Sequence, residues 1–167
     1  IVDEAPESQY LYPEFLMFQS LFARHGIEAV ICSPKDLAFC HGGLWHGETR
    51  LDLVYNRLTD FALAAPGNAA LRQAYLDDAM VLTPHPRAHA LYADKRNLAL
   101  LSDDALLAAW GVDASTRAVL AAVVPKTELV APDDAEAYWN RRKELFFKPA
   151  SGYGSKAAYR GDKMTRR

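Results

Sequence analysis

The sequence predicts a mixed α/β protein in which a parallel-sheet domain precedes a smaller α+β part. A helical pattern at residues 11–25 leads through a glycine into a short β-branched run. A strand–helix–strand pattern follows over residues 50–84, and the last third carries helices and then a short hairpin pattern. Helices that alternate with short apolar strands are typical of parallel α/β sheets.

The first helix and the first strand are predicted from residues 11–32. Apolar side chains recur at helical spacing from Leu11 to Phe22, and Gly26 stands where a helix end favours a left-handed residue. The run Ile27–Cys32 is short and β-branched, and Ser33-Pro34 bounds it, so we expect a buried strand.

A hairpin is predicted next, with arms at residues 44–46 and 50–55 and Gly47 in the connection. The second arm alternates apolar and polar side chains, so it can continue as a core strand. The other elements expected in this half are a short element at 36–39, a helix at 68–79 with Asn68 as its cap, and a strand at 80–84.

The second half predicts more helix and one further hairpin. A helical pattern restarts after Pro86 and ends at Gly111. The later expected elements are a helix at 115–123 capped by Ser115, a strand at 126–130, a helix at 132–144, a strand at 145–150, a loop at 151–155 and a returning strand at 156–160. We expect two domains, residues 1–84 and 85–167.

The charge of the chain is unevenly distributed. The net charge of −2 argues against a general role in binding nucleic acid or a membrane surface. Residues 141–167 carry nine Lys/Arg and two Asp/Glu, a charge of +7, whereas residues 1–140 carry ten and nineteen, a charge of −9. The basic segment can bind an anion such as phosphate, and for residues 163–167 a solvated tail is the simpler interpretation.

Two cysteines, Cys32 and Cys40, lack the spacing of a zinc or redox motif. This favours a reduced, cytoplasmic setting. No signal peptide and no long apolar run occur, so we expect no membrane span. The sequence begins at Ile1 and stops soon after a glycine-rich loop, which suggests part of a longer polypeptide.

The stretch "ELFFKPASGYGSKAAYRGDK" is the main candidate for a binding site. Phe146 and Phe147 are expected to bury a strand end, so that the ammonium of Lys148 emerges at the edge of the sheet. Small residues follow in the loop, where backbone N–H groups can approach an anion closely, and Lys156 adds a second charge. The small residues are Ser151, Gly152, Gly154 and Ser155.

Three phosphate-binding motifs compete for this stretch. A Walker A loop is excluded because Ala157 follows Lys156 and no glycine precedes it at the required position. "GYGSKA" fits the dinucleotide pattern GxGxxA, which needs a following helix and a later acidic residue. The residues that follow indicate strand and turn instead. We favour the third motif, a hairpin that folds over a nucleotide.

That hairpin resembles the ATP-grasp superfamily, in which a lysine before a flexible glycine-rich loop binds nucleotide phosphates. In the family a second lysine lies upstream, near the start of a helix. Lys95 in "LYADKRNLALLSD" resembles that lysine, and Lys148 resembles the one before the loop. More narrowly, the chain is similar to circularly permuted, glutathionylspermidine synthase-like bacterial proteins. "YLYPEF", "GIEAVICSP" and "LDLVYNR" resemble their pre-ATP-grasp domain.

The resemblance implies a carboxylate–amine (or thiol) ligase that acts through an acyl phosphate. Residues 1–84 would form the pre-ATP-grasp domain, and residues 85–167 the first, incomplete part of the ATP-grasp domain. ATP and Mg²⁺ would be required, with the Mg²⁺ and adenine ligands expected outside this segment, so that this chain alone would be inactive. The partners implied are a nucleotide and a small-molecule or peptide-like carboxylate.

Several alternatives stay open. Arg57 follows a predicted core strand, where it can hold a substrate carboxylate through two hydrogen bonds or form a structural salt bridge. Lys95 and Lys148 can also be ordinary solvated lysines. His85 and His89 are four apart, but Pro86 separates them and no acidic ligand is suitably spaced, so zinc is not expected. The second hypothesis for the whole chain is a non-catalytic nucleotide-binding or protein-interaction module.

Overall fold

The computed structural model describes residues 1–166. The chain is mixed α/β, with 45% helix and 14% strand in small sheets, one of which is parallel. It divides into two compact units, Ile1–Ala90 and Leu91–Arg167. The mixed α/β class predicted from the sequence is confirmed, whereas the ATP-grasp arrangement and the boundary after residue 84 stay predictions.

The first unit contains two complete helices and five strands. The helices are α1 (Tyr12–Arg24) and α2 (Ala69–Leu76), and the strands are β1 (Leu37–Cys40), β2 (Gly43–His46), β3 (Thr49–Leu51), β4 (Leu53–Tyr55) and β5 (Val81–Thr83). Helix α3 (Pro86–Tyr92) begins at the end of this unit. Helix α1 agrees with the predicted helix, and Gly26 beyond it adopts a φ of 73°.

A parallel arrangement lies at the centre of the first unit. β4 pairs with β5, and Val2 forms isolated parallel bridges to both Asn56 and Cys32. The Val2 amide donates to the carbonyl of Tyr55, and the Cys32 amide donates to that of Ile1, both at 3.0 Å. The four neighbouring segments are therefore, in spatial order, those of Cys32, of Val2, β4 and β5. Numbered along the chain, this order is 2-1-3-4, which is found in doubly wound α/β sheets.

Three antiparallel strands form a second sheet in the same unit, in the order β1-β2-β3. The predicted hairpin is present as β2 and β3, with Gly47 at a φ of 58° in the connection. Its second arm does not continue through residues 50–55 as expected. The chain leaves the antiparallel sheet at Asp52, whose carbonyl accepts from Val81, and β4 joins the parallel pair instead.

One cluster of buried apolar side chains joins the two sheets to α2. Its members are Val2, Cys32, Leu37, Leu44, Val54, Leu58, Leu63, Leu71, Ala74 and Leu82. Burial raises the pKa of the Cys32 thiol, so that this cysteine stays protonated as a core residue at neutral pH.

Two predictions for the first unit are wrong in detail. The run 27–32 is not a regular strand, because only its last part pairs with the first segment of the chain. The Val30 carbonyl accepts from the N-terminal ammonium at 2.8 Å, and Cys32 forms the bridge to Val2. Asn68 stands at the N-cap position of α2 without capping it. Its amide nitrogen donates to the Asp60 carboxylate at 2.8 Å, so the side chain is bound elsewhere.

The second unit consists of short helices and one small hairpin. Its helices are α4 (Arg96–Leu101), α5 (Asp104–Ala109), α6 (Ala114–Val123) and α7 (Ala135–Asn140), and its strands are β6 (Phe146–Phe147) and β7 (Tyr159–Arg160). Single 3-10 turns lie at Pro132–Asp134, Arg142–Glu144 and Gly161–Lys163. Within residues 1–166, every helix is too short or insufficiently apolar to cross a membrane.

Three expectations for the second unit need correction. Residues 126–130 form no strand. The Thr127 amide donates to the Ser102 hydroxyl, and the Glu128 carboxylate pairs with basic side chains, so neither residue pairs with a neighbouring strand. Asp113, not Ser115, caps α6. Phe146 is 55% exposed, because the two-stranded hairpin leaves one of its faces uncovered, so β6 is not the buried strand end that we expected.

Candidate functional site

The predicted binding loop is the connection of a real hairpin. β6 and β7 pair antiparallel, with Phe147 opposite Tyr159 and Phe146 opposite Arg160. Because side chains alternate along a strand, Lys148 lies on the face that carries Phe146. The hairpin that we preferred over a Walker A loop and a dinucleotide loop is therefore confirmed as a backbone arrangement, although its ligand is untested.

Two tight turns shape the tip of this loop. The Lys156 amide donates to the carbonyl of Tyr153 across Gly154 and Ser155, whose φ angles are 61° and 56°. Positive φ at both central positions is the signature of a type I′ turn. A second turn follows, and Ala157 within it has a φ of 55°. Gly154 adopts this conformation freely, whereas Ser155 and Ala157 carry a Cβ atom, which makes it less favourable for them.

Lys95 contacts the loop through two bonds. Its backbone N–H donates to the carbonyl of Ala150 at 2.8 Å, and its ammonium donates to the carbonyl of Gly152 at 3.1 Å. Lys95 is the residue directly before α4, as the family resemblance implies for the upstream lysine. Fifty-seven positions separate Lys95 from Gly152 in the sequence, so this contact is formed by the tertiary structure.

The two lysines of the loop lie against aromatic rings. The ammonium of Lys148 is 5.4 Å from the centre of the Phe146 ring, and that of Lys156 is 4.6 Å from the centre of the Tyr153 ring. Both lysines are exposed. Neither forms an ion pair with a described carboxylate, so their charge is not neutralised within the part of the chain that the structure covers.

The backbone of the loop offers hydrogen-bond donors. Among residues 1–166, no partner accepts from the N–H of Gly152 or of Gly154. Gly152 adopts a φ of 132°, a conformation that side chains rarely allow. Free N–H groups beside lysines that lack a carboxylate partner are what an anion such as phosphate requires.

The carboxylate nearest in sequence to Lys95 is already engaged. Asp94 accepts from the guanidinium of Arg96 at 2.9 Å and from its backbone N–H at the same distance. The hydrogen bond from the Arg96 side chain holds the pKa of Asp94 below its usual range. Asp94 is therefore ionised at neutral pH and partly offsets the charge of Lys95.

Arg57 belongs to the first unit, and its guanidinium is held by neighbouring side chains. It donates to the Tyr55 hydroxyl at 3.0 Å, forms an ion pair with Glu14 at 3.4 Å and lies 5.6 Å from the centre of the Phe15 ring. Burial raises the pKa of Asp3, and Arg57 opposes that shift. The geometry is that of the structural salt bridge left open above, and a substrate role for Arg57 stays a prediction.

The structure brings together part of the predicted site. Lys95 meets Ala150 and Gly152, while Ser151, Gly154, Ser155 and Lys156 follow in the same loop. Sequence reasoning missed the aromatic partners of the lysines. The available signal was an aromatic residue two positions before Lys148 and another three before Lys156. Over the described residues, no group of three or more His, Cys, Asp or Glu could hold a metal ion.

Comparisons with known proteins add no relative. No protein-family model matches the chain, and neither a curated protein nor a solved structure matches it. The resemblance to ATP-grasp proteins therefore rests on the residues quoted above.

Proposed function

We propose that this chain is the ATP-binding part of a carboxylate–amine (or thiol) ligase. The contact of Lys95 with the 150–152 segment carries the proposal. It joins a lysine at the start of a helix to a glycine-rich hairpin, the two parts that the resemblance requires in one site.

The charge distribution supports the same proposal. The loop from Lys148 to Lys156 contains no acidic residue, and its two lysines lack carboxylate partners among residues 1–166. The carboxylate just beyond the hairpin, Asp162, is paired with Arg160 at 2.9 Å. An anion that approaches the loop therefore meets positive charge and backbone donors without a competing carboxylate from the loop itself.

In the proposed reaction, a substrate carboxylate oxygen attacks the γ-phosphorus of ATP and ADP leaves. An amine or thiol then attacks the acyl phosphate, the new amide or thioester bond forms, and inorganic phosphate leaves while the nucleophile loses its proton to solvent. Mg²⁺ would neutralise phosphate charge when bound. Lys95 and Lys148 would hold the phosphates, and the 151–155 loop would cover them and exclude water.

Lys95 has to change its partner in this scheme. In the structure its ammonium is bound to the carbonyl of Gly152. A phosphate oxygen is a stronger acceptor for an ammonium than a carbonyl, because the hydrogen bond then joins two charges. Nucleotide binding would therefore transfer the ammonium from the loop to the phosphate, while the backbone bond from Lys95 to Ala150 stays in place.

The first test is ATP affinity. We expect Lys148→Ala and Lys95→Ala each to weaken ATP binding about tenfold or more, because a hydrogen bond to a charged group is worth roughly 1.5–3 kcal/mol. Isothermal titration calorimetry on residues 1–167 measures the dissociation constant. Inorganic tripolyphosphate should compete with ATP if the loop holds the triphosphate.

Lys163→Ala is the matched control. Lys163 is exposed in the same unit, and its side chain has no hydrogen bond or ion pair among the described residues. We expect it to leave ATP affinity unchanged. Unaltered affinity in both Lys95→Ala and Lys148→Ala, with a folded protein by circular dichroism, would remove the nucleotide from this loop. ADP release by this chain without another polypeptide would contradict the expected inactivity of the chain alone.

A further inference from the structure

A concavity of about 400 Å³ lies on the first unit. Phe61, Tyr75, Pro86, Arg87 and His89 line most of it. Its volume falls within the range of small-molecule sites, about 300–1,000 Å³. Such sites are mostly apolar and carry a few polar groups, which is also the composition of this lining.

Aromatic rings dominate the walls. The rings of Phe61 and His89 are stacked, with their centres 3.8 Å apart and their planes 11° apart. Tyr75 lies beside His85, with ring centres 5.7 Å apart. Flat rings bind other flat rings well through offset or edge contacts, so the lining favours a planar aromatic ligand.

Arg87 gives the concavity its charge. It is exposed, and within residues 1–166 its guanidinium forms no hydrogen bond or ion pair. No acidic residue lines the concavity. A carboxylate or phosphate on the ligand would therefore find an unpaired guanidinium, which can bind it through two parallel hydrogen bonds.

Helix α3 positions both Arg87 and His89. The Ala88 amide donates to Nδ1 of His85 at 3.1 Å, and the His89 amide donates to the His85 carbonyl at 3.1 Å. These bonds fix the first turn of the helix. The segment follows the carboxyl end of β5, and Phe61 lies in the segment that follows β4. Parallel α/β sheets commonly bind ligands outside the carboxyl ends of their strands.

We propose that this concavity binds a small planar aromatic anion, an aromatic ring that carries a carboxylate or phosphate. The ring stacks against the Phe61–His89 pair and Tyr75, and the anionic group pairs with Arg87. The proposal is independent of the nucleotide site, because every lining residue belongs to the first unit.

Three probes separate the contributions of ring and charge. 2-Naphthoate supplies both, 2-naphthamide keeps the rings without the charge, and cyclohexanecarboxylate keeps the charge without an aromatic ring. We expect saturable binding of 2-naphthoate by isothermal titration calorimetry. The other two probes should bind at least about tenfold more weakly, because each lacks one of the two contacts.

Variants assign the binding to the concavity. Arg87→Gln and His89→Leu should each weaken 2-naphthoate binding about tenfold. Arg72→Gln is the matched control, since Arg72 is an exposed arginine of the same unit outside the lining. NMR shifts of the His89 and Tyr75 ring protons should saturate together with the calorimetric signal, and ATP affinity should not change in any of these variants.

Three outcomes would overturn the proposal. The first is the absence of saturable 2-naphthoate binding by a folded protein. The second is binding of an acidic aromatic peptide such as Asp-Phe-Asp without binding of 2-naphthoate, which would indicate a protein partner. The third is a loss of binding in Arg72→Gln equal to that in Arg87→Gln, because the effect would then be one of net charge.

Discussion

At the scale of single residues, Asp113 shows how a side chain fixes the start of a helix. Its carboxylate accepts from the Ser115 hydroxyl, from the Thr116 hydroxyl at 2.6 Å and from the Thr116 amide at 2.9 Å. These bonds, that of Ser115 above all, hold the pKa of Asp113 far below its usual range. The ionised carboxylate also lies favourably at the positive end of α6.

Asp113→Ala should destabilise the protein in a pH-dependent way. Because the pKa is lowered on folding, the stabilisation is complete above the unfolded value of about 3.9 and is lost as pH falls through the lower folded value. The difference in urea midpoint between wild type and variant should therefore be largest at neutral pH and shrink below about pH 4. Urea titrations from pH 7 to pH 2 measure it.

The matched control is Asp133→Ala, since the Asp133 side chain lies at a helix start in the same unit without a hydrogen bond among the described residues. This variant should show a smaller difference in urea midpoint at neutral pH, because it removes no hydrogen bond of that side chain. An Asp113→Ala difference that stayed constant from pH 7 to pH 2 would exclude the carboxylate as the source of the effect.

At the scale of elements, the hairpin is held to the preceding turn by a close backbone approach. The Gly161 amide donates to the carbonyl of Leu145 at 2.9 Å. Gly161 is buried, and a Cβ atom built on it would lie 1.9 Å from the carbonyl oxygen of Arg142. The 3-10 turn at 142–144 and the one at 161–163 can therefore pack together only if residue 161 has no side chain.

Gly161→Ala should lower the free energy of unfolding by about 1–3 kcal/mol or more, the usual effect of overpacking, because the clash is with backbone that cannot rotate away. Denaturation in urea measures this. Gly67→Ala is the control, since a Cβ atom there would meet nothing within 4 Å. If the two variants were equally stable, the close approach at residue 161 would not exist in solution.

At the scale of the whole molecule, the buried apolar side chains are concentrated in the first unit. Ten of them form the core cluster of that unit. In the described part of the second unit, Leu107 alone is a buried hydrophobic residue. Val119, Val123, Leu129 and Val130 of the second unit are all about half or more exposed. Since burial of apolar area provides most of the stabilisation, the second unit should open more readily.

Hydrogen exchange followed by mass spectrometry should show this difference. The central residues of β4 and β5, Val54 and Leu82, belong to the core cluster of the first unit. Amides of these two strands should therefore exchange at least about tenfold more slowly than those of β6 and β7. ATP should slow exchange in residues 148–158 if the nucleotide proposal is right. Equal protection of the two pairs of strands without ligand would contradict the expected difference in stability.

Local chemistry in the sequence was enough to predict several elements. Helix α1 and its end at Gly26, helix α2, strand β5 and both hairpins follow from apolar spacing and from glycines at turns, which are properties of neighbouring residues. The mixed α/β class follows from their order. The sequence also indicated that Lys148 and the small residues after it form a loop suited to an anion, because lysine and glycine supply charge and free N–H groups wherever the loop lies.

Contacts between distant segments were decided by the tertiary structure alone. Val2 pairs with Cys32 and Asn56, Lys95 binds Gly152, and Gly161 lies against Arg142. The ring pair of Phe61 and His89 and the exposure of Phe146 likewise depend on which faces the neighbouring segments cover. The spacing of apolar residues along the chain determines the local conformation of a segment. Which other segments it contacts depends on how all the apolar surfaces of the protein pack together.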